Sequence, residues 1–80
     1  MKVLLFGRLR DVAGWRERDF DAAPTHLSAL KALIGSEDAG LAAAIDGPGV
    51  RASVDRVLVK GDVALHPKAE VAFLPPMSGG

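Results

Sequence analysis

Residues 70–80 of this 80-residue chain are Glu70-Val71-Ala72-Phe73-Leu74-Pro75-Pro76-Met77-Ser78-Gly79-Gly80. The apolar residues at the start of this stretch predict a buried β-strand over residues 70–74. Pro75 and Pro76 end the strand, because proline has no N–H group to donate to a neighbouring strand. The stretch therefore consists of one of the most apolar strands of the chain, which ends abruptly at the two prolines, and the four residues that follow them.

The rest of the chain alternates between strand patterns, helix patterns and turns. Leucine and isoleucine recur at helical spacing between residues 27 and 34, which predicts one main helix. The predicted elements in chain order are a strand at 2–9, a turn at 11–14, a charged edge strand at 15–20, a main helix capped by Thr25 and ended by Gly35, a shorter helix capped by Ser36, strands at 50–54 and 57–59, turns at 61–62 and 66–68, and the last strand at 70–74.

This order predicts an α+β domain in which one main helix packs on one face of a mixed sheet. The first and last strands are the most apolar, so we place them side by side at the centre of the sheet. That arrangement is the ubiquitin-like β-grasp fold. We expect one domain over residues 1–74, followed by a flexible, exposed Gly-Gly tail over residues 75–80.

The composition excludes several kinds of chemistry. The chain has no cysteine, so disulfides, thiolate metal sites and cysteine nucleophiles are excluded. Ten basic residues balance ten acidic ones, which argues against nucleic-acid binding. No apolar run is long enough for a membrane helix or a signal sequence, so we expect a cytoplasmic protein without a membrane partner. His26 and His66 have no third ligand spaced near them, so no metal site is predicted.

The final residues have a design that can be understood physically. The Pro pair stiffens the chain where it leaves the sheet. Gly79 and Gly80 carry no side chain, so the carboxylate can enter a narrow slot in a partner. Residues 75–80 can extend roughly 20 Å, enough to reach into another protein's active site. The alternative is an ordinary frayed terminus, although a terminal Gly-Gly arises by chance in only roughly 0.5% of chains.

Both ends of the chain resemble the small subunit of molybdopterin synthase, the MoaD family of ubiquitin-like sulfur carriers. The resemblance rests on residues 70–80 and on residues 2–14, Lys2-Val3-Leu4-Leu5-Phe6-Gly7-Arg8-Leu9-Arg10-Asp11-Val12-Ala13-Gly14. The middle of the chain matches by pattern only. Ser53-Val54-Asp55 replaces a common Val-Asn, and Lys68-Ala69-Glu70 replaces a common Gly-Asp-Glu, so that Lys68 stands at a usual turn glycine.

The resemblance implies a defined chemistry for the Gly80 carboxylate. A ubiquitin-activating-like adenylyltransferase would adenylate it with ATP, and the adenylate would be converted to a thiocarboxylate. The large synthase subunit would receive the tail, Pro75, Pro76, Met77, Ser78 and Gly79, in its active site. The sulfur would pass there to cyclic pyranopterin monophosphate, forming the molybdopterin dithiolene. The chain itself would bind no cofactor and would not be catalytic alone, and a heterotetramer with the large subunit is expected.

Other functions stay open at this point. A sulfur carrier for thiamine synthesis would share the fold, the Gly-Gly end and the activation step. A ubiquitin-like modifier would instead be joined through Gly80 to lysines of other proteins. A plain interaction module with an idle tail is a third class.

Two surfaces outside the tail are candidate binding sites. Apolar residues alternate onto both faces of the central strands, yet one helix covers only one face, which predicts an exposed apolar patch. Phe6, Leu58 and Leu74 are the candidates for this partner-binding face. Arg8 and Arg10 leave the first strand at the end of the sheet from which the tail also departs, because the first and last strands are parallel in this fold. They are therefore possible contacts to the partner or to its anionic substrate.

Overall fold

A computed structural model of the protein describes residues 1–76. In this part the sheet has five strands, and three helices connect them. The elements are β1 Lys2–Leu5, α1 Arg8–Ala13, β2 Glu17–Asp19, α2 Leu27–Glu37, α3 Ala39–Ile45, β3 Arg51–Val54, β4 Val57–Val59 and β5 Glu70–Leu74. The longest helix, α2, is the predicted main helix.

The sheet has the strand order β2-β1-β5-β3-β4. β1 and β5 are parallel, with Val3 opposite Val71 and Leu5 opposite Phe73. All other strand pairs are antiparallel. The last strand therefore lies at the centre with the first strand beside it. This confirms the predicted α+β fold with a mixed sheet.

The core lies on one face of the sheet, under the helices. Alternate residues of β1 and β5 point to this face and are almost completely buried: Val3, Leu5, Val71 and Phe73. From α2, Leu27, Leu30 and Ile34 close the core, and the two shorter helices add Leu9, Leu41 and Ile45. Fully burying one such side chain contributes about 1.5–3 kcal/mol relative to leaving it exposed, so this layer holds the fold together.

The predicted N-cap of the main helix was wrong by one residue, and the side chain that caps the helix was also predicted wrongly. His26 is the N-cap of α2, and its side chain makes no capping bond. Asp62 supplies the cap from far along the chain, because its two carboxylate oxygens accept hydrogen bonds from Ser28 N and Ser28 Oγ, both at 2.8 Å. The Oγ of Thr25 contacts the ring of His26 at 3.1 Å instead. A local cap was predicted, and a tertiary contact takes its place.

The predicted boundary between α2 and α3 was also wrong. α2 continues through Gly35 and Ser36, and Asp38 separates the helices while its side chain accepts a hydrogen bond from Leu41 N at 3.0 Å. A Cβ at Gly35 would lie 3.3 Å from Cβ of Ala42, so this glycine serves close helix packing rather than a helix stop. The Oγ of Ser36 donates within its own helix, to the carbonyl oxygen of Leu33.

The third correction concerns residues 6–14. The first strand ends at Leu5 rather than at Leu9, and the predicted turn at 11–14 belongs to helix α1, which Gly14 ends in a left-handed conformation. Leu9 is buried because the helix turns it into the core. Leu9 was thus assigned to the first strand although it belongs to α1.

The turn at residues 66–68 was predicted correctly, and Lys68 is compatible with it. Ala69 N donates to His66 O at 3.0 Å, and the only non-glycine residues with positive φ among residues 1–76 are Asp55 and Arg56. Lys68 therefore does not adopt the conformation that would favour glycine. Asp55 and Arg56 form the turn between β3 and β4, the two strands predicted on either side of them.

Candidate functional site

The face of the sheet opposite the helices carries an open apolar groove. Phe6 and Leu58 are 45% and 51% exposed, which is high for such large apolar side chains. The groove is lined by Leu4, Phe6, Ser53, Arg56, Leu58, Glu70, Ala72 and Leu74. The structure thus brings the three predicted face residues together in one groove, which we call the open face.

A polar rim closes one end of the open face. The guanidinium Nε of Arg56 lies 3.4 Å from a carboxylate oxygen of Glu70. Behind this pair, Asp55 joins the hairpin to β5, because its carboxylate accepts a hydrogen bond from Glu70 N at 3.0 Å and contacts His66 Nε2 at 2.7 Å. The bond from Glu70 N, followed by the contact with His66, lowers the pKa of Asp55. An apolar centre with a polar rim is the usual anatomy of a protein interface.

The chain leaves the sheet through Pro75 and Pro76 at the carboxyl end of the central strand β5, the end opposite Glu70. Pro75 is half-buried and Pro76 is exposed. On the helical side of the prolines is an apolar hollow of about 300 Å³. Its lining comprises Arg8, Leu9, Val12, Ala44, Gly47, Pro48, Val50, Pro75 and Pro76. The base of the predicted tail is therefore packed between the open face and this hollow.

Arg8 and Arg10 lie on α1, directly after β1, rather than on the strand. Arg8 lines the hollow together with the two prolines. Arg10 lines a separate depression beside Phe6 and Arg16. Within residues 1–76, none of these three arginines forms an ion pair. Their contact with a partner or an anion stays a prediction.

The remaining predicted site residues, Met77, Ser78, Gly79 and Gly80, lie outside the described residues. The division into a domain over 1–74 and a flexible tail over 75–80 also stays a prediction. Pro76 is the last described residue, four positions before Gly80.

Sequence reasoning missed two parts of this region. Val12 is 44% exposed beside the tail base, and it escaped notice because residues 11–14 were assigned to a turn. The helical spacing of Leu9, Val12 and Ala13, ended by Gly14, was the available signal. The Arg56–Glu70 pair was missed because nothing in the sequence joins residues 14 positions apart on neighbouring elements.

The two histidines have ordinary side-chain partners, Thr25 for His26 and Asp55 for His66. In the described part of the chain, no three His, Asp or Glu side chains are grouped as metal ligands would be. No helix of residues 1–76 has the length and apolar character that crossing a membrane requires.

The sheet order, the helix-covered core and the exit of the chain beside an open apolar face define a ubiquitin-like β-grasp protein. The profile of the ThiS family matches residues 3–80. The chain is 31% identical over 80 residues to the molybdopterin synthase sulfur carrier subunit of Escherichia coli (strain K12), covering 100% of this chain and 99% of that protein.

Two solved structures from Haloferax volcanii share the fold. The crystal structure of SAMP1 matches with a TM-score of 0.75 and 30% identity, covering 100% of this chain and 98% of that one. The crystal structure of small archaeal modifier protein 1 matches with a TM-score of 0.74 and 27% identity, covering 96% and 97%. The chain belongs to the ThiS family and is a sulfur carrier of the ThiS/MoaD type. The family expected from its two ends is confirmed.

Proposed function

We propose that this chain is the sulfur carrier subunit of molybdopterin synthase. The observation that carries the proposal is the end-to-end match to the E. coli carrier subunit, at 31% identity over 80 residues. The Gly80 carboxylate is the reactive group in this scheme. The chain binds no cofactor itself, acts in the cytoplasm, and is not catalytic without its partners.

The chemistry proceeds by activation and substitution. A carboxylate is a poor electrophile, so an adenylyltransferase first transfers AMP from ATP to Gly80 and releases pyrophosphate. A sulfide equivalent from a sulfur donor then displaces AMP, leaving a thiocarboxylate. In the large subunit, the thiocarboxylate sulfur attacks a carbon of cyclic pyranopterin monophosphate and displaces an oxygen substituent of that carbon, so that the carrier becomes attached through a thioester. Water later releases the carrier with its carboxylate restored, and two such deliveries complete the dithiolene.

The open face is the docking surface in this scheme. Phe6, Leu58 and Leu74 bind the adenylyltransferase and, in turn, the large synthase subunit, with which the chain forms a heterotetramer. The exposure of Phe6 and Leu58 supports this assignment, because contiguous apolar surface on a small domain usually marks an interaction site. The tail base at Pro75 and Pro76 directly follows Leu74 of the open face, so docking directs residues 77–80 towards the partner's active site.

Intact mass of the protein isolated from its native cells tests the reactive group. We expect a fraction of molecules in which sulfur replaces one oxygen, with the change confined to the peptide that ends at Gly80. Sulfur on any other residue, or only unmodified protein during active cofactor synthesis, would refute the proposal.

Extending the chain by one Ala after Gly80 tests the requirement for an exact end. The addition moves the carboxylate by about 3.5 Å and introduces a methyl group where the slot accepts only hydrogen. We expect near-complete loss of ATP–pyrophosphate exchange with the adenylyltransferase, while docking through the open face is kept. The extended form should then inhibit the normal form competitively. Full activity of the extended form would exclude a carrier role.

A protein modifier is the second candidate, because the structure of small archaeal modifier protein 1 from Haloferax volcanii matches over 96% of this chain. A carrier for thiamine synthesis is the third, because the matching profile is that of the ThiS family. Deleting the gene separates the three. Loss of molybdenum-enzyme activity supports the leading proposal, a thiamine requirement supports the third, and loss of Gly80-linked lysines on other proteins supports the second.

A further inference from the structure

The two prolines at the tail base rest against two glycines, one on each side of the departing chain. Gly7 follows β1 and Gly49 precedes β3, and these strands are the two neighbours of β5 in the sheet. A Cβ added to Gly7 would lie 2.8 Å from Cγ of Pro75, and one added to Gly49 would lie 2.9 Å from Cβ of Pro76. Non-bonded carbons prefer about 3.5–4.0 Å, so neither glycine can carry a side chain while the prolines keep their places.

Backbone conformation alone does not explain these two contacts. Gly7 and Gly49 have φ of 56° and 80°, a region that favours glycine. Gly14 and Gly61 also have positive φ, of 81° and 66°. Yet a Cβ added to Gly14 or Gly61 would meet no atom within 4 Å. The close approach of proline is therefore a separate feature of Gly7 and Gly49.

We propose that Gly7 and Gly49 are positioning residues for the tail, and this inference rests on the carrier function proposed above. The contacts of Pro75 with Gly7 and of Pro76 with Gly49, here called the proline seats, fix the direction of the chain where it leaves the domain. β5 is anchored by hydrogen-bonded strands on both sides, and proline restricts its own φ to about −65°. Seating the two rings removes the remaining freedom at the exit.

The direction matters because the reacting carboxylate is far from the seats. Gly80 is four positions beyond Pro76, a reach of up to about 14 Å. A change of roughly 15° at the exit then displaces the carboxylate by about 3–4 Å at full extension. A misplacement of about 1 Å can cost on the order of a hundredfold in rate. Filling a seat should therefore lower kcat for adenylation, while KM, set by docking through the open face, stays close to normal.

Gly49→Ala and Gly14→Ala make a matched pair for the test. Their φ values are 80° and 81°, so both variants place a side chain at nearly the same positive φ, but only Gly49→Ala meets a proline. The assay is ATP–pyrophosphate exchange with the adenylyltransferase purified from the native cells, run well below the melting temperature of both variants. We expect kcat to fall tenfold to a hundredfold for Gly49→Ala and by less than threefold for Gly14→Ala. Equal kcat values, or a change in KM alone, would overturn the inference.

Gly7→Ala provides an independent test with a rescue. The atom it would meet is Cγ of Pro75, and alanine at position 75 lacks that atom. The double variant Gly7→Ala with Pro75→Ala should have a kcat at least threefold higher than Gly7→Ala alone. Pro75→Ala by itself should have a lower kcat than the unmodified chain. Failure of the rescue would show that strain at Gly7, rather than the seat, caused the loss.

A measurement on the isolated chain separates this inference from the proposed function. NOEs between Gly49 and the Pro76 ring, and between Gly7 and the Pro75 ring, are expected in the unmodified protein. Absence of these NOEs overturns the proline seats even if pyrophosphate exchange is normal. If the NOEs are present but the unmodified chain supports no exchange, the proposed function fails, and with it the purpose assigned to the seats.

Discussion

Both faces of β1 and β5 carry large apolar side chains, but the two faces have different roles. On the covered face, Val3 and Phe73 have no exposed surface at all. On the open face, Phe6 is 45% exposed, and Leu4 and Leu74 are half-buried. The alternation of side chains along a strand sends neighbouring residues to opposite faces. What separates the two sets is the position of the helices, because all three contribute their buried residues to one core on the same side.

The comparison shows that burial and apolar character carry different information in a domain this small. On the covered face, apolar residues hold the sheet to the helices. On the open face, they are retained although no element of residues 1–76 covers them, at a cost in solubility. That cost is reasonable when a partner covers the surface for part of the working cycle.

Phe73 and Leu74 are neighbours in β5 on opposite faces of the sheet, and their substitution should give the largest difference in the free energy of unfolding. Phe73→Ala should lower the free energy of unfolding by about 3–5 kcal/mol, because it removes a fully buried ring and leaves a cavity. Leu74→Ala, on the open face, should cost only about 1 kcal/mol. Urea titration followed by circular dichroism would measure both. Similar losses for the two variants would mean that the open face belongs to the core.

Neighbouring residues of β4 give the next contrast, in binding rather than stability. Leu58→Glu should weaken binding to the adenylyltransferase and to the large subunit by about thirtyfold, since a central interface residue is often worth 2 kcal/mol or more. Isothermal titration calorimetry would measure the affinities, and circular dichroism would check that the domain stays folded.

Val57→Glu is the matched control. Val57 is 65% exposed and pairs with Val54, and Val54 pairs with Val71 of the covered face. Val57 therefore lies on the side of the sheet opposite Leu58, and its substitution should leave binding unchanged. Equal effects of the two variants would remove the open face as the docking surface.

The smallest expected effect concerns the cap that holds α2 over the covered face. The hydrogen bond from Ser28 N, followed by that from Ser28 Oγ, lowers the pKa of Asp62 below its ordinary value of 3.8. Because the folded state favours the charged carboxylate, this stabilisation is complete well above pH 3.8. It is lost as the pH falls through the lowered pKa of the folded state. Asp62→Asn should lower the melting temperature at neutral pH, because it weakens this cap. The decrease should be smaller than for Phe73→Ala, because the cap is exposed and Phe73 is fully buried.

The same variant should also flatten the decline of melting temperature between neutral and acidic pH. Asp21→Asn is the control, because Asp21 is exposed and caps no helix. Differential scanning calorimetry at several pH values would compare the three proteins. An Asp62→Asn profile that runs parallel to that of the unmodified chain would show that the cap contributes nothing to stability.

Much of the fold was predictable because its signals are local. The apolar strands and the helical spacing of Leu27, Leu30 and Ile34 follow from periodicity, and the turn at residues 66–68 follows from the preference of proline for turns. Helix ends were not predictable in this way. Thr25 and Ser36 are good capping residues by type, yet Asp62 and Asp38 do the capping, and Asp62 is 34 positions away from Ser28. A cap supplied by a distant loop leaves no local pattern.

The candidate site shows the same division between features with local sequence signals and features that depend on distant contacts. The sequence predicted apolar residues on both faces of the central strands, with Phe6, Leu58 and Leu74 as candidates for the uncovered face, and the structure places all three in one open groove. The sequence contains no sign that Gly7 and Gly49 meet the two prolines, since residues from three parts of the chain converge there. Of the two predicted arginines, Arg8 lies beside Pro75 and Pro76, whereas Arg10 lies in a separate depression beside Phe6.

The sequence by itself determined the α+β class, the central pairing of the first and last strands, and the family, because strand periodicity and the residues at both ends are properties of contiguous segments. Only the tertiary structure decided which sheet face stays open, which carboxylate caps α2, and how the exit at Pro75 and Pro76 is fixed. Each of these depends on atoms that are far apart in sequence and meet only when the chain folds. Contacts of that kind depend on the packing of whole elements, and no single segment encodes them.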